Sequence, residues 1–361
     1  MKAKIVFAAA VIAGLSSGST AAEARTLIQN KGSDTLVNVA QAWAEAYRNV
    51  DSGIAVAVTG GGSGTGIAAL INGTVDITNA SRAMKKKEVD LARSKGQDPV
   101  RHIVGYDALA VFMHKANPAK TLSISQLAEI YGEEGEVEKW TDIGLEVPGC
   151  NGQEIVIVSR QNSSGTYAYF RRAVLGKKRD YKLGTLDMHG SKDVVDLVEK
   201  TPCAIGYSGF AYATNNLKMA CIAKDESGNC ISPSVRNASD RSYPIARPLF
   251  MYTNGEPKGE VKKYIDWILG DAGQCIIQEK GYAPVREMKC EKGGGHGPLA
   301  RIPLKTVDGS GMQAMTIHQE SLPRDTTPLK AEHGTLGPIV ERASDDATQI
   351  ADRTQPEAGE R

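Results

Sequence analysis

Much is scarce or missing in this chain of 361 residues, and each absence removes a class of function. Beyond the first residues, no run approaches the roughly 20 apolar residues needed to cross a bilayer. Charge of one sign is missing too: 43 Lys and Arg stand against 42 Asp and Glu, interspersed, for a formal net charge of +1. That argues against a general nucleic-acid or membrane surface, so any anion specificity must come from a local site. No C-x-x-C or Cys/His metal spacing occurs, and neither a metal nor a cofactor is expected. The loop "GGGSGTG" has no Lys, so it is not a nucleotide P-loop. It does contain Gly64-Thr65-Gly66-Ile67-Ala68-Ala69, a match to G-x-G-x-x-A too short to imply a dinucleotide by itself. The G-x-S-x-G nucleophile elbow is absent around both Ser63 and Ser163. His102, His114 and His189 read as packing or surface residues. Hydrolysis has little to rest on.

What is present begins with an export signal. "MKAK" is followed by the apolar run "IVFAAAVIAGL", then small residues up to Ala22-Glu23-Ala24. This reads as a cleaved signal peptide over residues 1–24, with no Cys at the cleavage point to carry a lipid. A periplasmic destination is expected. Six cysteines suit an exported chain, where an even count means disulfides. Cys221 and Cys230 flank the turn-like "IAKDESGN", Cys275 and Cys290 bracket one segment, and Cys150 with Cys203 would be left over. That set is one of many possible pairings.

Residues 25–290 alternate strands and helices. "TLIQN" precedes "DTLVNVAQAWAEAYRNV"; "IAVAVTG" precedes "SGTGIAALING"; "EIVIVSR" precedes "TYAYFRRAVLG". Alternation with short polar turns predicts an α/β fold with mainly parallel sheets. The length, about 266 residues, is more than one sheet-centred domain usually takes, so two lobes are expected. From residue 291 the chain has no aromatic residue and many Gly, Pro, Thr and charges. Residues 291–361 therefore read as a disordered tail, unable to bury enough apolar area to offset the entropy of ordering. A tether to a partner is the other reading.

Three strand-to-helix loops share one construction: "NKGSDTL", "TGGGSGTGI" and "SRQNSSGTY". Each sets small hydroxyl residues beside Gly just before a helical pattern. A helix start offers unpaired N–H groups and partial positive charge to an anion. Gly lets the backbone approach, and Ser or Thr adds a donor. One such loop could be ordinary helix capping. Three, with Arg in or near them, point to one small, multiply charged oxyanion.

The segments "KGSDTL", "TGGGSGTGIAALINGTVDITNASR", "VSRQNSSGTY" and "TPCAIGYSGFAYAT", in this order, resemble the periplasmic phosphate-binding proteins of ABC importers, the PstS family. The resemblance covers about residues 26–285 and leaves the tail without a counterpart. It implies a two-lobed periplasmic binding protein of type II that closes on inorganic phosphate about crossing hinge strands and serves a membrane permease. The crossings map to "IVGYDALAVFMH" and "YPIARPLFMYT", which sets lobe I at residues 25–106 plus 248–290 and lobe II at 107–247. By family motif, Thr35 and Leu36 supply the first loop's donors, Ser63 the second's, and Arg160, Ser164, Gly165 and Thr166 the third's. The wider candidate set adds Ser33, Asp34, Gly64, Thr65, Ser81, Arg82 and Asn162.

The chain departs from the family's best-studied pattern at one place. Those members carry an Asp after "AS" that accepts the proton of hydrogen phosphate, and here "NASRAM" has Arg82. A carboxylate acceptor is what rejects sulfate, which has no proton to donate. Asp34 could take that role, orient Arg82, or only cap its helix. Asp76 reads as a structural residue at a strand start. No enzyme activity is expected, and the protein is expected to act as a monomer without nucleic acid. The alternatives are another oxyanion, such as sulfate or a phosphonate, and a secreted phosphatase on the same scaffold.

Overall fold

The computed structural model describes residues 25–225, 229–290 and 340–342. The expected signal peptide and nearly all of the tail fall outside the described residues.

Strand β1 (Thr26–Gly32) leads into α1 (Val37–Tyr47), then β2 (Ile54–Thr59), α2 (Ser63–Ile71), β3 (Ile77–Ala80) and α3 (Lys86–Ser94). β1 lies between β2 and β3, parallel to both. In α1 the buried residues Val39, Ala40, Trp43, Ala46 and Tyr47 recur at three- and four-residue spacing, so one apolar stripe faces the sheet. The Trp43 indole N–H also finds a partner, the Gly273 carbonyl at 2.8 Å. Asp76 accepts the Gln29 backbone N–H at 2.7 Å. It ties the start of β3 to β1, the structural role expected of it.

β4 (Pro99–His114) is buried along nearly its whole length, so it belongs to a sheet covered on both faces. After β5 (Thr121–Ser123) and α4 (Ile124–Tyr131), β6 (Val156–Arg160) feeds α5 (Gly165–Phe170). The next residues, Arg171–Leu175, form a π-helical turn. Then come β7 (Leu186–Met188), α6 (Ser191–Lys200), β8 (Ala204–Gly209), β9 (Leu217–Met219), β10 (Cys221–Ala223), β11 (Cys230–Ile231) and α7 (Val235–Ser239). β12 (Ala246–Asn254), α8 (Gly259–Leu269) and α9 (Asp271–Glu279) return the chain to the first strands.

Strand order along the main sheet is β2-β1-β3-β12-β4-β8-β6-β7. β6 is parallel to β7 and β8, while β4 and β12 run antiparallel to their neighbours. β4 is shared: Pro99 to Ala108 pair with β12, whereas Leu109 to Met113 pair with β8. One continuous strand thus joins two sheet halves, each with its own core. The first half packs Trp43, Tyr264, Ile268 and Tyr282 against the sheet. The second packs Tyr131, Trp140, Phe170 and Tyr207, with the Phe170 and Tyr207 rings stacked at 3.9 Å. This is a two-lobed α/β architecture. A short tail strand, β13 (Val340–Arg342), pairs antiparallel with Val100–His102 of β4.

Disulfides join Cys150 to Cys203, Cys221 to Cys230 and Cys275 to Cys290. Among the described residues no helix is long and apolar enough to cross a membrane.

Candidate functional site

The three hydroxyl-rich loops leave the carboxyl ends of β1, β2 and β6, the end of a parallel sheet where α/β folds bind ligands. Two belong to the first lobe and one to the second, and they meet face to face. Thr35 Oγ1 lies 2.9 Å from Thr166 Oγ1 across the divide. The Gly64 N–H donates to the Ser163 carbonyl at 2.8 Å, and Ser163 Oγ returns a bond to the Gly61 carbonyl at 3.2 Å. The end of β3 contributes Ser81, whose N–H donates to Ser63 Oγ at 3.0 Å and whose hydroxyl accepts from Ser33 Oγ at 2.9 Å. Ser33, Thr35, Ser63, Ser81, Ser164 and Thr166 are all buried, as are Leu36 and Gly165. A buried hydroxyl costs free energy unless bonded, so this cluster holds together only as a network.

Glycine is required at two contact points. A Cβ on Gly165 would stand 2.3 Å from Ser63 Oγ and 2.6 Å from Ser81 Oγ; one on Gly62, at φ +94°, would stand 2.6 Å from the Ser163 carbonyl oxygen. All three distances are far inside contact, so glycine at both positions lets the lobes come this close.

Arg160 is 1 % exposed. Its Nε donates to the Met188 carbonyl and Nη1 to Ser191 Oγ, and Nη2 reaches the His189 carbonyl at 2.7 Å and Asp34 Oδ2 at 3.0 Å. Burial lowers the pKa of the guanidinium, and the Asp34 carboxylate works against that. Asp34 also accepts the Gly61 N–H at 2.8 Å, so one carboxylate links the first and second loops to the arginine of the third. Tyr212 donates to the Asp34 carbonyl at 2.6 Å, and Tyr282 donates to that of Thr35. Both phenols are pushed up chiefly by burial and act as fixed donors.

Three expected site residues stand differently. Arg82 does not turn toward the loops: Nη1 and Nη2 form a two-pronged pair with Glu88 at 2.8 Å each, and Nη1 also reaches the Ala83 carbonyl. Asp34 therefore does not orient Arg82; it holds Arg160. The cause is local, because Glu88 also accepts the Lys85 N–H at the start of α3 and so draws Arg82 to that helix end. Burial pushes the Glu88 carboxyl up, but Arg82 and the Lys85 N–H and charge together outweigh it and hold it below its usual range. Thr65 folds its hydroxyl back onto the Gly61 carbonyl. Asn162 is exposed at the rim, beside a cavity of about 260 Å³ lined by Lys85, Tyr167, Arg171, Arg172 and Lys177. Ser164 acts as N-cap of α5, its hydroxyl accepting the Thr166 and Tyr167 N–H groups.

Sequence reasoning missed a buried ion pair at the centre. Arg247 of β12 and Asp107 of β4 both have wholly buried side chains, with Nη2 2.8 Å and Nε 3.0 Å from Asp107 Oδ2. Burial pushes the Asp107 carboxyl up, with Arg247 opposing. Arg247 Nη1 reaches the Ser81 carbonyl at 3.3 Å, and its Nη2 touches the hydroxyls of Thr35 at 3.3 Å and Thr166 at 3.1 Å. A signal was available: one Arg in "YPIARPLFMYT" and one Asp in "IVGYDALAVFMH" stand alone in apolar strands, where charges survive only in pairs. Among the described residues no cluster of three or more His, Cys, Asp or Glu could hold a metal ion.

The profile of the PBP superfamily domain matches residues 19–272. The phosphate-binding protein PstS of Pseudomonas aeruginosa is 32 % identical over 276 residues, spanning 73 % of this chain and 85 % of that one. Protein SphX of Synechococcus elongatus is likewise 32 % identical, over 289 residues, spanning 77 % and 83 %. Among solved structures, a substrate-binding protein from Clostridium perfringens with bound phosphate superposes with a TM-score of 0.64 at 27 % identity, covering 72 % of this chain and all of that one. An ABC-type phosphate transport receptor from Vibrio cholerae gives 0.57 at 25 % identity, covering 71 % and 99 %. With the same two-lobed fold and these relatives, the chain belongs to the PBP superfamily and, within it, to the PstS family.

Proposed function

We propose that this protein captures inorganic phosphate between its lobes by hinge closure and delivers it to the membrane permease of an ABC importer. The observation that carries this reading is the convergence of the three helix-start loops, with Arg160 and Asp34 at 3.0 Å, on one buried cluster drawn from both lobes. Thr35, Leu36, Ser63, Gly64, Ser81, Arg160, Ser164, Gly165 and Thr166 are the residues assigned to the anion. Arg160, held in place by the Met188 and His189 carbonyls, Ser191 and Asp34, supplies a charge-assisted donor to the oxyanion from its second Nη1 N–H. Each charge-assisted bond in such a cleft contributes about 1.5–3 kcal/mol, and a micromolar dissociation constant needs only about 8 kcal/mol net. The lobe limits are read as residues 25–106 with 248–290, and 107–247. The change of partner along β4 after Ala108 supports that division. The protein acts as a monomeric, exported carrier and performs no chemistry on its ligand.

Calorimetric titration of the chain, stripped of bound ligand, with phosphate and then sulfate at pH 7 or above tests the reading. Micromolar or tighter phosphate binding with little response to sulfate is expected. Equal binding of both would make it a general oxyanion carrier, and binding of neither would remove the oxyanion function.

A further inference from the structure

The buried pair at the lobe junction has no counterpart in the three-loop scheme, and its geometry is that of a ligand-binding group. Arg247 extends from β12, the return crossing, with all its contacts on named atoms. Asp107 Oδ2 takes Nε and Nη2, the Ser81 carbonyl takes Nη1, and the Tyr169 ring faces the guanidinium carbon at 5.6 Å. Tyr169 is itself anchored on the Ala246 carbonyl at 2.5 Å, and burial pushes its phenol up to about 12. Three sides of the guanidinium are thus held by the protein. On the remaining side, Nη2 meets the hydroxyls of Thr35, from the first lobe, and Thr166, from the second. An anion oxygen bonded by both hydroxyls would meet Arg247 Nη2 at the same point.

We infer that Arg247 is a second cationic ligand of the bound anion, held in aim by Asp107, and that it senses both lobes at once because it stands on a crossing strand. The inference rests on the phosphate reading above. Arg160 approaches from the second-lobe loop and is balanced by Asp34; Arg247 approaches from the hinge and is balanced by Asp107. Two guanidiniums, each with one carboxylate, give a site of little net charge but strong directional donors. Such a site favours the dianion over the monoanion without attracting anions indiscriminately. Asp107 here is a positioning residue: it touches Arg247, and through it sets where Nη2 points.

The test uses the full chain and inorganic phosphate, with two variants. Arg247→Met alone would leave a carboxylate buried without its partner, so the paired variant Arg247→Met/Asp107→Asn removes both charges together. Arg247→Lys keeps the charge and loses the fork. Affinity is measured by calorimetry from pH 6 to 8, across the second ionisation of phosphate, and melting temperature is measured without ligand. The paired variant should bind phosphate at least 30-fold more weakly, with a flatter rise of affinity with pH, and Arg247→Lys should recover part of both. A purely structural strut would lower the melting temperature while leaving the pH profile of phosphate affinity unchanged. An affinity within threefold of the parent, or an unaltered pH profile, would overturn the inference. Should the parent chain itself fail to bind phosphate, the proposed function falls first, and this inference with it.

Discussion

At the scale of single residues, the site is governed by where each carboxylate finds its cation. Asp34 spends both oxygens on the loops: Oδ1 takes the Gly61 N–H and Oδ2 takes Arg160. It is bonded directly to the arginine of the third loop, and its proposed role is to accept a ligand proton and repel an ion that has none. Asp34→Asn should therefore reduce the preference for phosphate over sulfate at least tenfold, read from paired titrations at pH 7.5; an unchanged ratio would remove the acceptor role. Arg82 makes the opposite case. Its donors are committed to Glu88 and Ala83, so Arg82→Gln should leave the phosphate dissociation constant within about twofold while lowering the melting temperature by a few degrees. The Glu88 carboxyl is depressed in the folded protein, so its contribution is present above its ordinary value of 4.5 and is lost as pH falls through the lower folded value. The stability gap between parent and Arg82→Gln should close below that point.

At the scale of elements, closure depends on helix starts that can approach without side chains between them. Gly165 opens α5 against Ser63 and Ser81, and the methyl of Gly165→Ala would collide with both hydroxyls. Both hydroxyls are committed to the network with Ser33 Oγ and the Ser81 N–H, so moving them aside breaks buried hydrogen bonds. Gly165→Ala should weaken phosphate binding more than tenfold by calorimetry while leaving the ligand-free melting temperature within a few degrees, because the collision exists only between closed lobes. An equal loss of stability without ligand would mean that the contact belongs to the folded core rather than to closure. The π-helical turn after α5 acts at the same scale, widening the helix at Arg171–Leu175 beside the basic rim cavity.

At the scale of the whole molecule, one strand carries the architecture. β4 pairs with β12 in one half of the sheet and with β8 in the other, so each half keeps its own core, the arrangement that the proposed hinge closure requires. The disulfides do not tie one core to the other. Cys150–Cys203 lies within the second lobe's core, Cys221–Cys230 closes its β10–β11 hairpin, and Cys275–Cys290 fastens the segment after α9 back to that helix. Small-angle scattering should show the radius of gyration falling when phosphate is added to the stripped protein, with no change on adding sulfate. An invariant radius would show that binding does not draw the lobes together.

The amino-acid sequence by itself determined the local parts. Strand–helix alternation, the Gly-Ser-Thr loops ahead of α1, α2 and α5, and the structural Asp76 are properties of neighbours in the chain, set by periodicity and by what a helix start demands. The tertiary structure decided which charges meet. Asp34 and Arg160 are 126 residues apart, Asp107 and Arg247 are 140 apart, and no local pattern selects such partners. Arg82 shows the converse: its place beside the serine of "NAS" suggested a ligand, yet a carboxylate six residues on captured it. The physical reason is the same in each case. A charge taken from water must be paired, and the fold, by choosing which strands lie side by side, chooses the pair.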